Sequence, residues 1–173
     1  MGEYSKEFQE KKEFKKFDKT DIKLTRLLSE NCRLTLVDLS EKLNISRETV
    51  NYRIKRLISG GVIAKFQPTI NFFLLGFEFY ILNLKISKPT QKKKIIDYLS
   101  NTRRCNTILK TDGNWEIITF IYFQNHKEFR KFKKIFFDKF KDSIYEHSFE
   151  IAEEQYKLNW FSQKLEKEML KDY

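Results

Sequence analysis

The sequence predicts an α+β protein of two domains, followed by an extra helix. Apolar residues recur at helical spacing through residues 17–66, whereas strand-like and helical patterns alternate through residues 77–156. The 173 residues are enough for one ordinary domain or two small ones. Because 40% of them are apolar and 16% aromatic, the chain can bury a real core, which excludes a wholly disordered protein.

The composition is strongly basic. Lys and Arg number 34 against 24 Asp and Glu, which gives a net charge of +10. Such an excess favours a polyanionic partner, although net charge is an argument about association and not about fold. Since basic proteins are common, the charge alone only directs attention to nucleic acid.

Cysteine spacing and hydropathy indicate the compartment. Cys32 and Cys105 have no CxxC neighbour, so we expect two reduced thiols and neither a disulfide framework nor a zinc site. The longest apolar stretch, residues 72–84, is shorter than the ~20 residues that span a bilayer. The charged N-terminus lacks the apolar segment of a signal peptide. We therefore expect a cytoplasmic protein with no membrane partner.

The first domain is predicted to begin with two helices. Asp18, with Asp21 three residues later, fits a variant of the capping box at the start of a helix that ends at Asn31. Thr35 can cap a second, short helix. The apolar positions that this second helix is expected to bury are Leu36, Leu39 and Leu43.

A third helix and a short strand complete this domain. Ser46 caps the helix, which runs from Arg47 to about Ser59 with an inner face of Val50, Ile54, Leu57 and Ile58. Gly60-Gly61 ends it, because Gly enters a left-handed C-terminal turn at no steric cost. A short strand is predicted for Val62 to Phe66. Three helices and a strand, with a four-residue turn between the second and third helices, predict a (winged) helix-turn-helix domain over residues 17–66.

The second domain is predicted from the order of its elements. Strands are expected at 77–87, 105–110, 115–123 and 143–152, and helices at 91–100 and 126–140, where either Ile135 or Phe136 completes the inner stripe. Asp112-Gly113 is expected to form a tight turn between the two middle strands. The order βαββαβ is the ferredoxin-like arrangement, over residues 77–156.

Three further segments complete the division of the chain. Residues 1–16 form a charged N-terminal extension, either a solvated helix or a flexible arm, and residues 67–76 are a linker. Residues 157–173 contain an amphipathic helix, predicted from Leu158 to Leu170. We expect this helix to pack on the second domain or across a subunit interface.

The third helix carries the candidate DNA-binding residues. They lie on its outward side, its flanks and its N-terminus, and they are Ser46, Arg47, Glu48, Asn51, Tyr52, Arg53, Lys55 and Arg56. Asn can read adenine bidentately, and Arg47 could reach a guanine or a phosphate. We expect Ser46, Arg47, Asn51 and Tyr52 to read bases, and we expect Arg53, Lys55 and Arg56 to hold the DNA backbone. Glu48 repels phosphate and needs a cytosine donor or an arginine nearby. The alternative is a plain three-helix bundle with a solvated basic helix.

An ordered set of short motifs resembles a known family. The motifs are Asp18-Lys19-Thr20-Asp21, Asn31-Cys32-Arg33, Asp38-Leu39-Ser40, Asn44-Ile45-Ser46, Thr49-Val50, Arg53-Ile54 and Gly61-Val62-Ile63. Over residues 17–155 the chain is similar to the Lrp/AsnC transcription regulators of bacteria and archaea. The resemblance implies double-stranded DNA as partner, and a homodimer built through the second domain and often assembled into tetramers or octamers. It also implies a small effector such as an amino acid.

The same resemblance indicates an effector-binding loop. In the family this loop is a Gly-x-aromatic-acid turn between the middle strands of the second domain. Here the matching residues are Gly113, Asn114, Trp115 and Glu116, with Trp115 and Glu116 in place of the usual Tyr and Asp. Either the segment binds an effector, or it is only a hairpin turn.

A basic stretch lies in the second domain. Residues 85–110 contain eight Lys and Arg against one Asp. The stretch is either a solvated face or a second DNA-contacting surface. The second possibility keeps open an architectural protein that compacts DNA with little sequence preference.

The sequence offers little support for catalysis. His126 and His147 are the only histidines, neither has partners at metal-ligand spacing, and no phosphate-binding loop or nucleophile motif occurs. We therefore expect no catalytic residues, no metal and no cofactor. The enzymatic alternative is a relative of the AsnC-like siroheme decarboxylases, which share the two-domain plan.

Overall fold

The computed structural model describes residues 17–155 and 161–172, so the N-terminal extension and Leu158 lie outside the described residues. The described chain divides into two compact units. The first unit comprises residues 17–69 together with 161–172, and the second comprises residues 70–155.

Three capped helices form the first unit's framework. They are α1 (Lys19–Glu30), α2 (Leu36–Leu43) and α3 (Arg47–Ser59). The predicted caps are confirmed: Asp18 accepts from the backbone N–H of Asp21 at 2.9 Å, and Thr35 and Asp38 form a full capping box. Ser46 accepts from the backbone N–H of Thr49 at 3.1 Å. Each cap satisfies N–H groups that the first helical turn leaves without partners, which is why these starts could be predicted locally.

The end of α3 differs from the prediction. Gly61 has a φ of +75°, and the N–H of Val62 donates to the carbonyl of Leu57 at 2.9 Å, which is a Schellman ending. The strand predicted for Val62 to Phe66 is not formed. A strand needs a neighbouring strand for its hydrogen bonds, and the described residues of this unit contain no other strand. The N–H groups of Val62 and Ile63 close the helix instead.

The first unit has a small aliphatic core. Its fully buried side chains include Ile22, Leu24, Leu39, Val50 and Leu57. Two positions predicted to be inside are exposed, Leu36 by 38% and Ile58 by 44%. Leu36 is the first residue of α2, and helical side chains lean toward the N-terminus, so this side chain extends past the helix. Ile58 lies at the edge of the inner face of α3.

The C-terminal helix packs on α1. This helix, α6 (Gln163–Met169), begins after the N-cap Ser162. The preceding Phe161 is 9% exposed, and its carbonyl accepts from the Ser29 hydroxyl at 3.2 Å. Arg26 of α1 forms an ion pair with Glu166 at 2.7 Å. The expected packing on the second domain was therefore wrong, because an amphipathic stripe predicts that a helix is covered without saying by what.

The second unit has the predicted ferredoxin-like order. Its elements are β1 (Glu78–Ile86), α4 (Lys92–Ser100), β2 (Cys105–Lys110), β3 (Ile117–Phe123), α5 (His126–Phe140) and β4 (Ile144–Ala152). The strands form an antiparallel sheet in the order β2-β3-β1-β4. Leu82 of β1, for example, lies opposite Thr119 of β3 and Phe149 of β4.

One face of this sheet forms the core with α4 and α5. Alternate residues of β1 and β3 point into it, including Tyr80, Leu82, Leu84, Ile117 and Ile121, all fully buried. The helices contribute Ile95, Leu99, Phe129, Phe136 and Phe140. The choice between Ile135 and Phe136 is thereby settled, since Phe136 is fully buried and Ile135 is 48% exposed.

The other sheet face carries aromatic and aliphatic side chains that are only half-buried. We name this set the open sheet face, and it consists of Phe79, Ile81, Ile118, Phe120 and Tyr122. Phe79 stacks on Phe120 with ring centroids 5.4 Å apart. Phe72, from the segment before β1, stacks on Tyr122 at 4.3 Å.

Candidate nucleic-acid interface

The outward side of α3 brings five of the candidate residues together. We name this set the recognition face, and it consists of Arg47, Glu48, Asn51, Tyr52 and Lys55. At about 100° per residue Glu48, Asn51, Tyr52 and Lys55 lie on the side away from Val50 and Leu57, which are fully buried, and Arg47 extends from the first turn of the helix. Asn51 is half-buried and the other four are exposed, Tyr52 by 64%. The core thus fixes the helix while five polar or basic side chains remain directed outward.

Ser46 and Glu48 interact at the start of α3. The Ser46 oxygen caps the helix and also lies 3.1 Å from the Thr49 hydroxyl. The backbone N–H of Glu48, and then the Ser46 hydroxyl, hold the pKa of the Glu48 carboxyl below its ordinary value. Glu48 is therefore an anion on the recognition face. The expected repulsion between Glu48 and DNA phosphate remains a prediction.

Arg53 and Arg56 point to α1 and form an ion-pair network there. Arg53 contacts Asp18 at 2.7 Å and Asp21 at 2.9 Å, and Arg56 contacts the second carboxylate oxygen of Asp21. The Asp21 side chain is completely buried. Burial acts to lower the pKa of Arg53, but the hydrogen bonds to Asp18 and Asp21 outweigh it and raise that pKa. Both arginines therefore link α3 to the capping box of α1.

This network bears on the expected division of labour. Arg53, Lys55 and Arg56 were all expected to hold the DNA backbone, and that remains a prediction. Only Lys55 stays on the recognition face without an acidic partner among the described residues. Sequence reasoning missed the pairing because Arg53 and Asp21 are 32 residues apart.

The candidate effector loop is longer than the predicted tight turn. β3 begins only at Ile117, and Gly113 has a φ of +152° in an exposed loop. The Glu116 carboxylate accepts from Lys92 at 2.6 Å and from the backbone N–H of Ile86 at 3.1 Å. These two donors hold the pKa of Glu116 below its ordinary value. The ammonium of Lys85 lies 5.6 Å from the ring centroid of Trp115.

The basic stretch at residues 85–110 is partly neutralised. Three of its eight cations have carboxylate partners, Lys85 with Glu146 at 2.8 Å, Lys92 with Glu116 at 2.6 Å and Arg104 with Glu128 at 2.6 Å. A second concentration of charge lies on α5, which has six Lys and Arg against two acidic residues. The sequence analysis considered only the apolar stripe of α5. The same helical periodicity also predicts its basic outward side.

The two histidines lie in aromatic surroundings. The His147 ring is 4.1 Å from that of Phe137, and the His126 ring is 5.4 Å from that of Phe129. Burial, and then the nearby Lys133, lower the pKa of His147. The described residues contain no group of three His, Cys, Asp or Glu arranged to hold a metal ion. Among the helices of the described ranges, none is long and apolar enough to cross a membrane.

The first unit and a large part of the chain match known regulators. Residues 17–64 match the family described as winged helix-turn-helix DNA-binding. Over 104 residues the chain is 33% identical to the uncharacterized HTH-type transcriptional regulator PH0061 of Pyrococcus horikoshii. That alignment covers 60% of this chain and 70% of the relative. The crystal structure of PH0061 superimposes with a TM-score of 0.77, covering 84% of this chain and 99% of that one.

Two more distant structures share the fold. Escherichia coli AsnC is 14% identical, with a TM-score of 0.74 over 84% of this chain and 98% of AsnC. The Neisseria meningitidis transcriptional regulator NMB0573, in complex with L-Met, is 18% identical, with a TM-score of 0.74 over 85% of this chain and 96% of that one. The capped helix-turn-helix unit, the ferredoxin-like unit and these matches lead to one conclusion: the chain belongs to the DNA-binding HTH-type transcriptional regulators and has the fold of the Lrp/AsnC type.

Proposed function

We propose that this DNA-binding regulator recognises a specific operator by inserting α3 into the major groove. The recognition face carries the proposal, because it presents five polar or charged side chains on a helix fixed by its core and caps. Asn51 can pair bidentately with adenine, and Arg47 can pair with guanine or a phosphate. Tyr52 adds an exposed ring with a hydroxyl, and Ser46 stands at the helix N-terminus, where backbone N–H groups attract phosphate.

Lys55 is proposed to contact the DNA backbone. A point charge on the side of a groove-bound helix neutralises phosphate without reading sequence. We propose that Arg53 and Arg56 also contact the DNA backbone while they remain paired with α1. Each guanidinium has N–H donors in addition to those that bind Asp18 and Asp21.

Selection from a random duplex pool, followed by sequencing, tests the proposal. We expect an enriched motif with two-fold symmetry for the unchanged protein. Asn51→Ala should relax one position of the motif, since a bidentate pair provides about 1–3 kcal/mol of discrimination. Lys55→Ala, as the matched variant on the same face, should weaken binding to all sequences and reduce the salt slope by about 1. Equal losses from both variants on operator and random DNA would contradict this assignment.

An architectural role is the second candidate function. Its support is the excess of cations in the second unit, where α5 alone has six Lys and Arg against two acids. It makes the opposite prediction for the same selection, namely tight binding without an enriched motif. We favour the regulator because the matched relatives are named transcriptional regulators, which also favours regulation over catalysis.

We further propose a homodimer that associates through the open sheet face. Phe79, Ile81, Ile118, Phe120 and Tyr122 form a continuous apolar surface that is only half-buried in the single chain. Apolar surfaces of this kind mark association sites. A two-fold dimer would also supply the second α3 that a symmetric operator needs. Sedimentation equilibrium at micromolar concentration should give an even number of chains, and a monomer would contradict the proposal.

An amino acid is the proposed effector. Glu116 and Lys92 place an anion and a cation 2.6 Å apart beside the loop of Gly113, Asn114 and Trp115. This arrangement complements the ammonium and carboxylate of a zwitterion, and the fold relative NMB0573 binds L-Met. A calorimetric titration with the twenty amino acids should find a ligand whose binding Glu116→Gln abolishes. If none of the twenty binds, the effector proposal fails, while DNA recognition is unaffected.

A further inference from the structure

The outward side of α5 carries a row of exposed cations. We name it the α5 stripe, and it consists of Lys127, Arg130, Lys131 and Lys134 of α5 together with Lys141, which follows the helix. At about 100° per residue these positions lie opposite Phe129, Phe136 and Phe140, which are buried. All five side chains are exposed, and the described part of the chain gives none of them a carboxylate within 4.0 Å.

The two remaining lysines of α5 are engaged elsewhere. The ammonium of Lys133 lies 5.3 Å from the ring centroid of Phe149, and that of Lys139 lies 4.9 Å from that of Tyr98. Glu128 is held by both guanidinium nitrogens of Arg104, at 2.6 and 2.9 Å. Asp138 and Asp142, which follows Lys141, are therefore the two acids left on the outward side, against five cations of the stripe.

The helix that carries the stripe is firmly held. Phe129 stacks on Tyr80 at 4.3 Å, Phe136 contacts Tyr98 at 5.8 Å, and Phe140 contacts Tyr98 at 5.4 Å. A ligand therefore meets cations whose backbone positions are already fixed, so little conformational entropy of the chain is lost on binding.

We infer that the α5 stripe is a second DNA-binding surface, which contacts phosphates outside the segment recognised by α3. From Lys127 to Lys141 the helix rises roughly 21 Å, which matches about six base pairs of duplex. A row of cations at this spacing faces phosphate oxygens and no base edges, so the surface is indifferent to sequence. The inference rests on the proposed recognition by α3, which brings a duplex to the same molecule and raises its local concentration.

The chemistry of the helix favours DNA over a lipid surface. A basic amphipathic helix binds membranes by burying its apolar side in the lipid. In α5 that side is already used, since Phe129, Phe136 and Phe140 lie in the core of the second unit. The stripe is thus left with electrostatic contacts alone, and a DNA duplex supplies the highest density of them.

Two triple variants test the inference. Lys127→Gln, Lys131→Gln and Lys134→Gln remove three charges from the stripe. Lys164→Gln, Lys167→Gln and Lys171→Gln remove three exposed charges from the C-terminal segment, to which no DNA contact is assigned. Fluorescence anisotropy would measure binding to a 20-bp and a 60-bp duplex that share the central 20 bp, over a range of salt. Circular dichroism would check that each variant is folded.

We expect the stripe variant to lose about tenfold or more in affinity for the 60-bp duplex, with a salt slope lower by about 2–3, since each phosphate contact contributes about 0.9. Its affinity for the 20-bp duplex should stay within twofold of the unchanged protein. Equal losses in both triple variants would overturn the inference, because the effect would then be one of overall charge. So would stripe-dependent binding to vesicles of phosphatidylserine and phosphatidylcholine with no change on DNA.

The two proposals fail in different ways. If the unchanged protein binds the 20-bp duplex and the stripe variant loses nothing on 60 bp, the stripe inference fails and recognition by α3 stands. If the 20-bp duplex is not bound but binding to 60 bp depends on the stripe, recognition by α3 fails and the stripe inference stands.

Discussion

At the scale of single residues, the packing of the DNA-binding unit depends most on Asp21. Its carboxylate is fully buried, it takes part in the capping box of α1, and it binds both Arg53 and Arg56. A buried carboxylate is stable only while cations and hydrogen-bond donors surround it. The orientation of α3 against α1 therefore depends on side chains that the sequence alone assigned to DNA.

Replacement of Arg53 tests this dependence. Arg53→Ala should lower the free energy of unfolding by about 3 kcal/mol, at the low end of the range for removing one partner of a buried pair, because Arg56 still holds Asp21. Lys55→Ala, on the exposed side of the same helix, should change it by less than about 0.5 kcal/mol. Urea unfolding of both variants measures the difference, and similar midpoints would show that the pair adds nothing to stability.

The limits of sequence reasoning follow from the distances along the chain. The caps at Asp18, Thr35 and Ser46 were predictable because donor and acceptor are three residues apart and follow fixed helix geometry. The pairing of Arg53 with Asp21 was not, because any basic residue of α3 is compatible with the local pattern. For the same reason the recognition face could be located by helical period, but the contacts of its flanking arginines could not.

At the scale of elements, anionic side chains at the starts of the first three helices share one property. The pKa of Asp38 lies below its ordinary value because the hydroxyl and then the backbone N–H of Thr35 donate to it. Burial acts to raise the pKa of Asp18, but hydrogen bonds from Arg53 and from the N–H of Asp21 outweigh it and lower that pKa. The pKa of Glu48, at the start of α3, is lowered as well. The folded protein therefore stabilises the ionised form of each of these carboxyl groups relative to the protonated form.

The sign of the resulting pH dependence follows directly. A carboxyl group with a lowered pKa in the folded state contributes stability above its unfolded pKa of about 4, and this contribution is lost as pH falls through the folded value. The free energy of unfolding should hence decrease from about pH 5 downward. Asp38→Asn should make that decrease smaller. Glu41→Gln, outside the cap on the same helix, should leave the decrease unchanged. Urea midpoints at several pH values between 7 and 3 measure it for each protein. If Asp38→Asn showed the same decrease as the unchanged protein, the cap would play no part in it.

At the scale of the whole molecule, the DNA-binding unit is assembled from both ends of the described chain. Phe161 and α6 return to α1, where Ser29 and Arg26 receive them. The fold class was predictable, because periodicity and element order suffice for it. The docking partner of α6 was not, because an apolar stripe carries no information about the surface that covers it.

Truncation of the buried ring measures the contribution of this docking. Phe161→Ala should destabilise the DNA-binding unit by about 3 kcal/mol, the usual cost of removing a buried phenylalanine ring. Leu165→Ala, at a position that is 41% exposed on the same segment, should cost about 0.5 kcal/mol. Differential scanning calorimetry resolves the two variants, and an unchanged transition for Phe161→Ala would mean that α1 is stable without the segment.

The return of α6 also has a consequence for biosynthesis. Ser29 and Phe161 are 132 residues apart, so at 5–20 residues per second the ribosome needs roughly 7–26 s to make the second after the first. In the course of that interval α1, α2 and α3 are completed, but the surface of α1 that receives Phe161 stays bare until its end. Each newly made regulator thus passes through a period in which its helix-turn-helix is present and unfinished, exposed to chaperones and proteases before it can compete for DNA.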